Sequence, residues 1–102
     1  MVMARKNKKP PTGSTHKNSI QRFEFQHGEA SAVCVAGSFN DWHPNATPMV
    51  ALGGGRWVKE LTLPAGRYEY RFVVDGVWVD DPNAKEVAPN PHGGTNAVLT
   101  VG

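Results

Sequence analysis

The feature that most constrains the fold of this chain is the pair Asp75-Gly76, which separates two segments rich in aromatic and β-branched residues. An Asp-Gly pair in this setting is the strongest short-range signal for a two-residue β-hairpin with a type I′ turn. Such a turn fixes the register of its two strands. The residues that face each other across the hairpin can therefore be predicted from the sequence.

The predicted register sorts the side chains of the hairpin onto two faces, because directly opposite residues share a face. One face is apolar and is expected in the core; its members are Tyr68, Tyr70, Phe72, Val74, Val77 and Val79. The other face is expected to be solvated; its members are Arg67, Glu69, Arg71, Val73, Trp78 and Asp80. On this second face Arg71 is predicted to pair with Asp80. The presence of Trp78 there needs an explanation, because a large exposed aromatic ring often marks a binding surface.

The rest of the chain also has the pattern of short strands. Turn-forming residues recur roughly every 8–12 residues, and no segment has the period of an α-helix. Alternating apolar residues predict further strands over 20–26, 30–38, 49–52, 56–63 and 97–101, with Trp57 in the core or at its rim. The sequence therefore predicts an all-β fold, an antiparallel β-sandwich of about seven strands, with a partly closed barrel as the alternative.

The formal net charge of +2 averages two different regions. Residues 1–17 hold five basic residues and no acidic one, whereas residues 18–102 hold six basic and nine acidic residues, a charge of −3. We expect a disordered basic tail over 1–18, with a folded module over 19–102. The tail has two interpretations, a solubilising segment or an electrostatic arm for an acidic partner or a nucleic acid. The acidic balance of the module argues against nucleic acid as its ligand.

The location of the protein is predicted from what the sequence lacks. Cys34 is the single cysteine, so no intramolecular disulfide can form and a reducing compartment is suitable. The N-terminus has no apolar segment of a secretory signal, and no apolar run reaches membrane-spanning length. We expect a soluble, cytoplasmic protein with no membrane partner.

Residues for catalysis do not form a suitable pattern. Asp80 and Asp81 are adjacent at a strand end, so their side chains diverge instead of converging as a carboxylate pair must. The four histidines and Cys34 have no spacing typical of metal ligands. We therefore predict a protein that is not an enzyme and uses neither a metal nor a cofactor.

A binding function is better supported, because Trp42 and Trp78 are both expected outside the core. Trp42 lies in a polar, turn-prone loop over 37–44. An aromatic face beside hydrogen-bonding groups suits a ligand with an apolar face and a polar edge, as sugar rings and nucleobases both have. The acidic module favours the neutral sugar.

Several stretches of the chain resemble one family of binding modules. They are VAGSFNDW (35–42), Trp57 with LTLPAG (61–66), YEYRFVVDGVW (68–78) and the Asp-Pro pair at 81–82. In their order and spacing they are similar to the glycogen-binding, or isoamylase N-terminal-like, carbohydrate-binding modules (family forty-eight). These modules occur in beta subunits of the AMP-activated protein kinase and beside catalytic domains of glycogen branching and debranching enzymes. The resemblance runs from about residue 20 to residue 101, and it implies an immunoglobulin-like, early-set β-sandwich.

The resemblance also implies a site for an α-glucan such as glycogen, starch or a maltooligosaccharide. In kinase-type modules this site uses two tryptophans, a lysine and an asparagine; the matching positions are Trp42, Trp78, Arg71 and Asn96. The tryptophans would stack on glucose rings, while the other two side chains would hydrogen-bond hydroxyl groups. His92 and Gly94 stand where the kinase-type modules carry leucine and threonine.

A second function stays open on the sequence. Early-set modules often dock other proteins, so the sandwich could serve as an interaction module for a glycogen-metabolising enzyme or a kinase-type partner. Trp42 and Trp78 would then form a hot spot for that partner.

Overall fold

The structure, a computed structural model, describes residues 18–102. These residues form eight β-strands, which confirms the predicted all-β sandwich with one strand more than expected. The strands are β1 (Asn18–Gln26), β2 (Val33–Gly37), β3 (Val50–Gly53), β4 (Arg56–Pro64), β5 (Gly66–Val74), β6 (Val77–Val79), β7 (Val87–Pro89) and β8 (Thr95–Val101). The tail predicted over 1–18 lies outside the described residues apart from Asn18, which begins β1.

Two antiparallel sheets make up the sandwich. The first has the strand order β1-β4-β3, and the second has the order β2-β5-β8-β7 with β6 also paired to β5. Strand β5 is central: residues 70–74 pair with β2 on one edge. On its other edge, residues 66–70 pair with β8 and residues 72–74 pair with β6. Within residues 18–102, no helix is long and apolar enough to cross a membrane.

The predicted hairpin joins β5 to β6. Asp75 and Gly76 have φ angles of 49° and 85°, the positive values that a type I′ turn requires at both central residues. The register is as predicted, with the pairs Val74–Val77, Val73–Trp78 and Phe72–Val79. The Asp75 carboxylate also accepts hydrogen bonds from the backbone N–H groups of Ser31, at 2.9 Å, and Ala32, at 2.8 Å. The turn therefore holds the β1–β2 loop as well as its own strands.

The core lies between the inner faces of the sheets, and its largest fully buried side chains are Phe72, Val33 and Val35. Aromatic side chains connect the sheets, because Phe25 of β1 lies 4.8 Å, centroid to centroid, from Phe72 of β5. Trp57 is half-buried and packs against this cluster, in agreement with its predicted place in or beside the core.

Tyr70 joins the core to the segment after β6. Its ring packs edge-on against Phe23, with 5.0 Å between centroids. Its hydroxyl donates a 2.5 Å hydrogen bond to Oδ2 of Asp81. Burial, and secondly this hydrogen bond, raise the pKa of Tyr70 well above its usual range. The phenol therefore stays protonated and serves as a fixed donor to Asp81.

Two residues of the hairpin differ in solvent exposure from the prediction. Val77, expected in the core, is 61% exposed because it follows the turn on a three-residue strand that pairs only with β5 among the described strands. Val73, expected to be solvated, is 4% exposed. It lies opposite Trp78 in one ladder and opposite Cys34 in the other, and neighbours this close shield it on the outer face.

Strand β7 was not predicted. It pairs with β8 at an edge of the second sheet and ends at Pro89, a residue tolerated on edge strands because one side of the strand needs no hydrogen bonds. The prolines and asparagines on either side of it favour a loop in a local prediction. Only pairing with β8 shows that the segment is a strand.

Candidate functional site

The outer face of β5 lies at the base of an open groove of about 900 Å³. The loop after β2, the strand β6, the loop before β8 and the start of β8 itself contribute the rest of its lining. The lining residues are Ser38, Trp42, Arg67, Glu69, Arg71, Trp78, Asn90, Pro91, His92 and Asn96. The structure brings the four predicted site residues together here; they are Trp42, Trp78, Arg71 and Asn96.

Trp42 and Trp78 are neighbours in the groove although 36 positions separate them in the sequence. Their ring centroids lie 6.4 Å apart, and the ring planes meet at 41°. Trp78 is 38% exposed and Trp42 is half-buried. The two indoles therefore present a bent aromatic surface rather than a flat one.

The position of Trp42 depends on a tight bend after β2. Asp41 and Trp42 have φ angles of 56° and 60°, in the left-handed region that non-glycine residues rarely adopt. The backbone N–H of Trp42 donates to the carbonyl of Gly37 at 2.9 Å and closes the bend. Such conformations are found where the surrounding structure holds them, often at functional sites.

The side-chain amide of Asn40 stabilises this bend by hydrogen bonds. Its Oδ1 accepts from the N–H of Gly37 at 3.0 Å. Its Nδ2 donates to the carbonyl of Val35 at 3.1 Å and to Oγ1 of Thr47 at 2.9 Å. One side-chain amide thus joins the end of β2 to both sides of the loop that carries Trp42.

Arg71 extends from β5 into the groove that Trp42 and Trp78 also line. Its NH2 lies 3.0 Å from Oδ1 of Asp80, so the predicted ion pair is present. The side chain is 24% exposed, and its Nε is the one buried side-chain nitrogen or oxygen without a hydrogen-bond partner in residues 18–102. A guanidinium has five N–H donors, so most of them are not used by the ion pair.

Asn96 lies on the same face of the sheet as Glu69 and Arg71, because its neighbour Ala97 pairs with Tyr70 on the inner face. Asn96 is buried, with 7% of its surface exposed. Its Nδ2 donates to Oε1 of Glu69 at 3.0 Å. Its Oδ1 accepts from Nδ2 of Asn90 at 3.2 Å. An amide has two N–H donors and two acceptor lone pairs, so half of its hydrogen-bonding capacity remains.

Glu69 is the anionic centre of the groove. Its Oε2 lies 2.7 Å from NH1 of Arg67, and its Oε1 accepts from Asn96. The hydrogen bond from Asn96, and secondly that from Arg67, hold the pKa of Glu69 below its usual range. Glu69 is therefore ionised at neutral pH.

The loop over 90–94 is organised by its first residue. Oδ1 of Asn90 accepts from the backbone N–H groups of His92, at 2.9 Å, and Gly94, at 3.1 Å. The backbone N–H of Asn90 donates to the carbonyl of Gly94 at 2.9 Å. Gly93 has a φ of 88°, which suits glycine. This compact turn places His92 in the groove lining.

Two organising residues of the site, Glu69 and Asn90, were not among those predicted. Glu69 could have been found, since it alternates with Arg67 and Arg71 on the face that carries Trp78. Asn90 has no such local signal, because its contact with Asn96 exists only after β7 pairs with β8.

The groove supplies aromatic faces and hydrogen bonds rather than an acid–base pair. Oδ1 of Asp80 pairs with Arg71, while Asp81 accepts from the Tyr70 hydroxyl and from the backbone N–H of Asn83. Among the residues that the structure describes, no group of three or more His, Cys, Asp or Glu is placed to bind a metal ion.

Comparison with known proteins gives consistent matches. Residues 20–102 match the family model described as the glycogen recognition site of AMP-activated protein kinase. The chain is 42% identical over 72 residues to Protein FLOURY ENDOSPERM 6, chloroplastic, of Oryza sativa subsp. japonica, an alignment of 71% of this chain and 13% of that protein. It is 34% identical over 74 residues to 5'-AMP-activated protein kinase subunit beta-1 of Sus scrofa, an alignment of 72% of this chain and 57% of the relative. The chain thus spans less than two thirds of the length of these relatives.

Proposed function

The chain belongs to the family of the glycogen recognition site of AMP-activated protein kinase, and from this membership we propose that it binds α-glucans without transforming them. The ligand would be glycogen, starch or a maltooligosaccharide. The observation that carries the proposal is the bent pair of indoles, Trp42 and Trp78, in a groove that also contains Arg71 and Asn96.

The aromatic pair suits the apolar faces of sugar rings. The axial C–H groups of a glucose ring can pack on an indole while its hydroxyls stay in water. An α-1,4-linked glucan curves from one ring to the next, whereas a β-1,4-linked glucan is a flat ribbon. The 41° angle between the indoles of Trp42 and Trp78 therefore supports an α-glucan over cellulose.

The polar side chains suit hydroxyl groups. Arg71 has unused donors, and Asn96 retains one N–H and one lone pair. An unpaired buried N–H is unfavourable by about 1–3 kcal/mol, so a ligand oxygen that reaches Nε of Arg71 would be favoured. The two arginines of the groove are each paired with a carboxylate, a balance that supports a neutral ligand.

Co-sedimentation with glycogen, with cellulose as the control, tests the proposal directly. The affinity can then be measured by titrating maltoheptaose or β-cyclodextrin and following tryptophan fluorescence. The chain has three tryptophans, so in a Trp57→Phe background all of the signal comes from the groove. Sedimentation with cellulose to the same extent as with glycogen would contradict the proposal.

Alanine replacement of Trp42 or Trp78 should weaken binding by about ten- to a hundredfold, taking roughly 1–3 kcal/mol for each stacked ring by analogy with stacked bases. Trp57→Ala is the matched control, because Trp57 packs against the core instead of the groove. It should lower stability and leave affinity unchanged. Circular dichroism melts of each variant ensure that affinities are compared on folded protein. A variant at Trp78 with wild-type affinity would reject the stacking geometry.

The absence of catalysis is part of the proposal, and it is supported by the paired state of both carboxylates beside the groove, Asp80 and Asp81. Purified protein incubated with glycogen or maltooligosaccharides should produce no new reducing ends and no change in chain length. Turnover that persists after a second purification would contradict this.

A second candidate is docking to a protein, favoured by relatives that are named as subunits of 5'-AMP-activated protein kinase. The partner would be a glycogen-metabolising enzyme or a kinase-type protein, with Trp42 and Trp78 as its hot spot. Folded protein that fails to bind glycogen and maltoheptaose would favour this second function over the first. We also propose a cytoplasmic location, since the one cysteine suits a reducing compartment; the name of the rice relative places that protein in the chloroplast.

A further inference from the structure

We propose that Glu69 is a positioning residue of the groove: its carboxylate sets the orientation of two side-chain amides, Asn96 and Asn90, and through them the conformation of the loop over 90–94. The effect on ligand binding rests on the proposed function. The relay itself is a property of the free protein.

The relay starts at a group that can only accept hydrogen bonds. An ionised carboxylate has no donor, so any amide that bonds to it must present its NH2 group. Glu69 accepts from Arg67 on one oxygen, at 2.7 Å, and from Nδ2 of Asn96 on the other, at 3.0 Å. The Asn96 amide therefore cannot be rotated by 180° without placing its oxygen against the carboxylate.

The second step transmits this choice to Asn90. With its NH2 group on Glu69, Asn96 presents Oδ1 to Asn90, which must donate through Nδ2, at 3.2 Å. The Oδ1 of Asn90 is then left to accept from the loop N–H groups of His92 and Gly94. Each hydrogen bond is compatible with only one orientation of the next amide, so donation runs in a single direction, from the loop N–H groups through Asn90 and Asn96 to Glu69. Arg67 donates to the same carboxylate from its other side.

The relay determines what the groove presents to a ligand. Asn96 keeps one N–H and one lone pair, and their positions would exchange if the amide were reversed. The same hydrogen bonds hold the loop over 90–94, which places His92 in the groove lining. A site held in its binding conformation loses less entropy when the ligand arrives, so a fixed relay favours affinity.

A reversal of the relay provides a sharp test. Asn90→Asp keeps an oxygen for His92 and Gly94 but places a second carboxylate oxygen against Oδ1 of Asn96. If Asn96 rotates to satisfy it, the Asn96 oxygen meets Glu69 instead, so one contact between two acceptors remains in either orientation. Glu69→Gln alone keeps an acceptor for Asn96 and should have a small effect. In the double variant, the new glutamine can donate to Asn96 and Asn96 can donate to the new aspartate, so every partner is satisfied with reversed polarity.

The readout is the solvent exchange of the His92 and Gly94 amide protons in the unliganded protein, measured by NMR. We expect Asn90→Asp to accelerate exchange by about tenfold or more, the change for loss of one hydrogen bond. The double variant should return to within about threefold of Glu69→Gln. Asn45→Asp adds the same charge at an exposed position outside the groove lining and should leave exchange unchanged. If the double variant exchanges as fast as Asn90→Asp, the relay does not exist.

Maltoheptaose affinity, measured on the same proteins, tests the functional half. We expect Asn90→Asp to lose about tenfold in affinity at pH 7 under conditions where it remains folded. Wild-type affinity in that variant, with accelerated exchange, would reduce Glu69 to a purely structural role. If the wild-type protein binds no glucan but the exchange rates follow the predicted pattern, the proposed function fails and the relay stands.

Discussion

Replacement of Gly37 by alanine tests how closely β2 approaches β5 beneath the groove. Gly37 is buried, and its φ of −168° is extended backbone that alanine also adopts, so any penalty is steric. A Cβ at this position would lie 2.4 Å from the carbonyl oxygen of Glu69, 2.8 Å from the ring of Phe39 and 2.9 Å from Cβ of Tyr70. The first and last of these atoms belong to the backbone of β5 or are fixed to it, so rotation of a side chain cannot remove them.

The expected loss of stability follows from these distances. Overpacking of this kind typically destabilises a protein by about 1–3 kcal/mol. In a domain of 60–100 residues, each kcal/mol lowers the melting temperature by about 4–8 °C, so we expect a decrease of roughly 5–20 °C. Glucan affinity should fall as well, because Gly37 accepts the hydrogen bond of Trp42 and donates to Asn40.

The measurement is a thermal melt followed by circular dichroism, with Gly28→Ala as the control. Gly28 lies in an exposed turn, and a Cβ there would have no neighbour within 4 Å. That variant should melt within a few degrees of wild type, as surface replacements usually do. Equal melting temperatures for the Gly37 and Gly28 variants would show that β2 can move away from β5 without penalty, and the steric argument would be wrong.

Two further predictions concern ionisable groups near the groove. Tyr70→Phe keeps the ring packing but leaves Oδ2 of Asp81 without its donor, so urea titration should show a loss of about 1–3 kcal/mol; an unchanged midpoint would mean that water replaces the hydroxyl. The lowered pKa of Glu69, caused first by Asn96 and then by Arg67, implies a stabilisation that is complete above the usual pKa of glutamate and disappears as the pH falls through the lowered value. Glu69→Gln should therefore flatten the acid side of the stability–pH curve, and an unchanged slope would contradict this. The other charged or titratable groups that line the groove or pair there are Arg71, Asp80 and His92.

The parts of this fold that could be predicted from the sequence are those with a local cause. The turn at 75–76 determines its own register, and the register correctly placed Trp78 and Arg71 on one face. The polar loop after β2 correctly placed Trp42 outside the core, although its approach to Trp78 was implied only by resemblance. These residues carry strong signals because turn chemistry and alternation operate over a few positions.

The parts that could not be predicted depend on neighbours far away in the sequence. Val73 is buried by residues of β2 and β6, and β7 exists as a strand only because β8 lies beside it. The contact between Asn96 and Glu69 joins positions 27 residues apart. Local alternation identifies the face on which a polar side chain lies, but its hydrogen-bond partner depends on the assembled sheet.

The double role of Asp75 limits how this module can be engineered. In most hairpins an Asp-Gly turn can be exchanged for Asn-Gly, because both favour the same backbone angles. Here both carboxylate oxygens of Asp75 accept from the N–H of Ser31, and one also accepts from Ala32. An asparagine would turn an NH2 group toward one of those donors. Grafting the β5–β6 hairpin onto another scaffold would therefore require the segment over 31–32 to be transplanted with it.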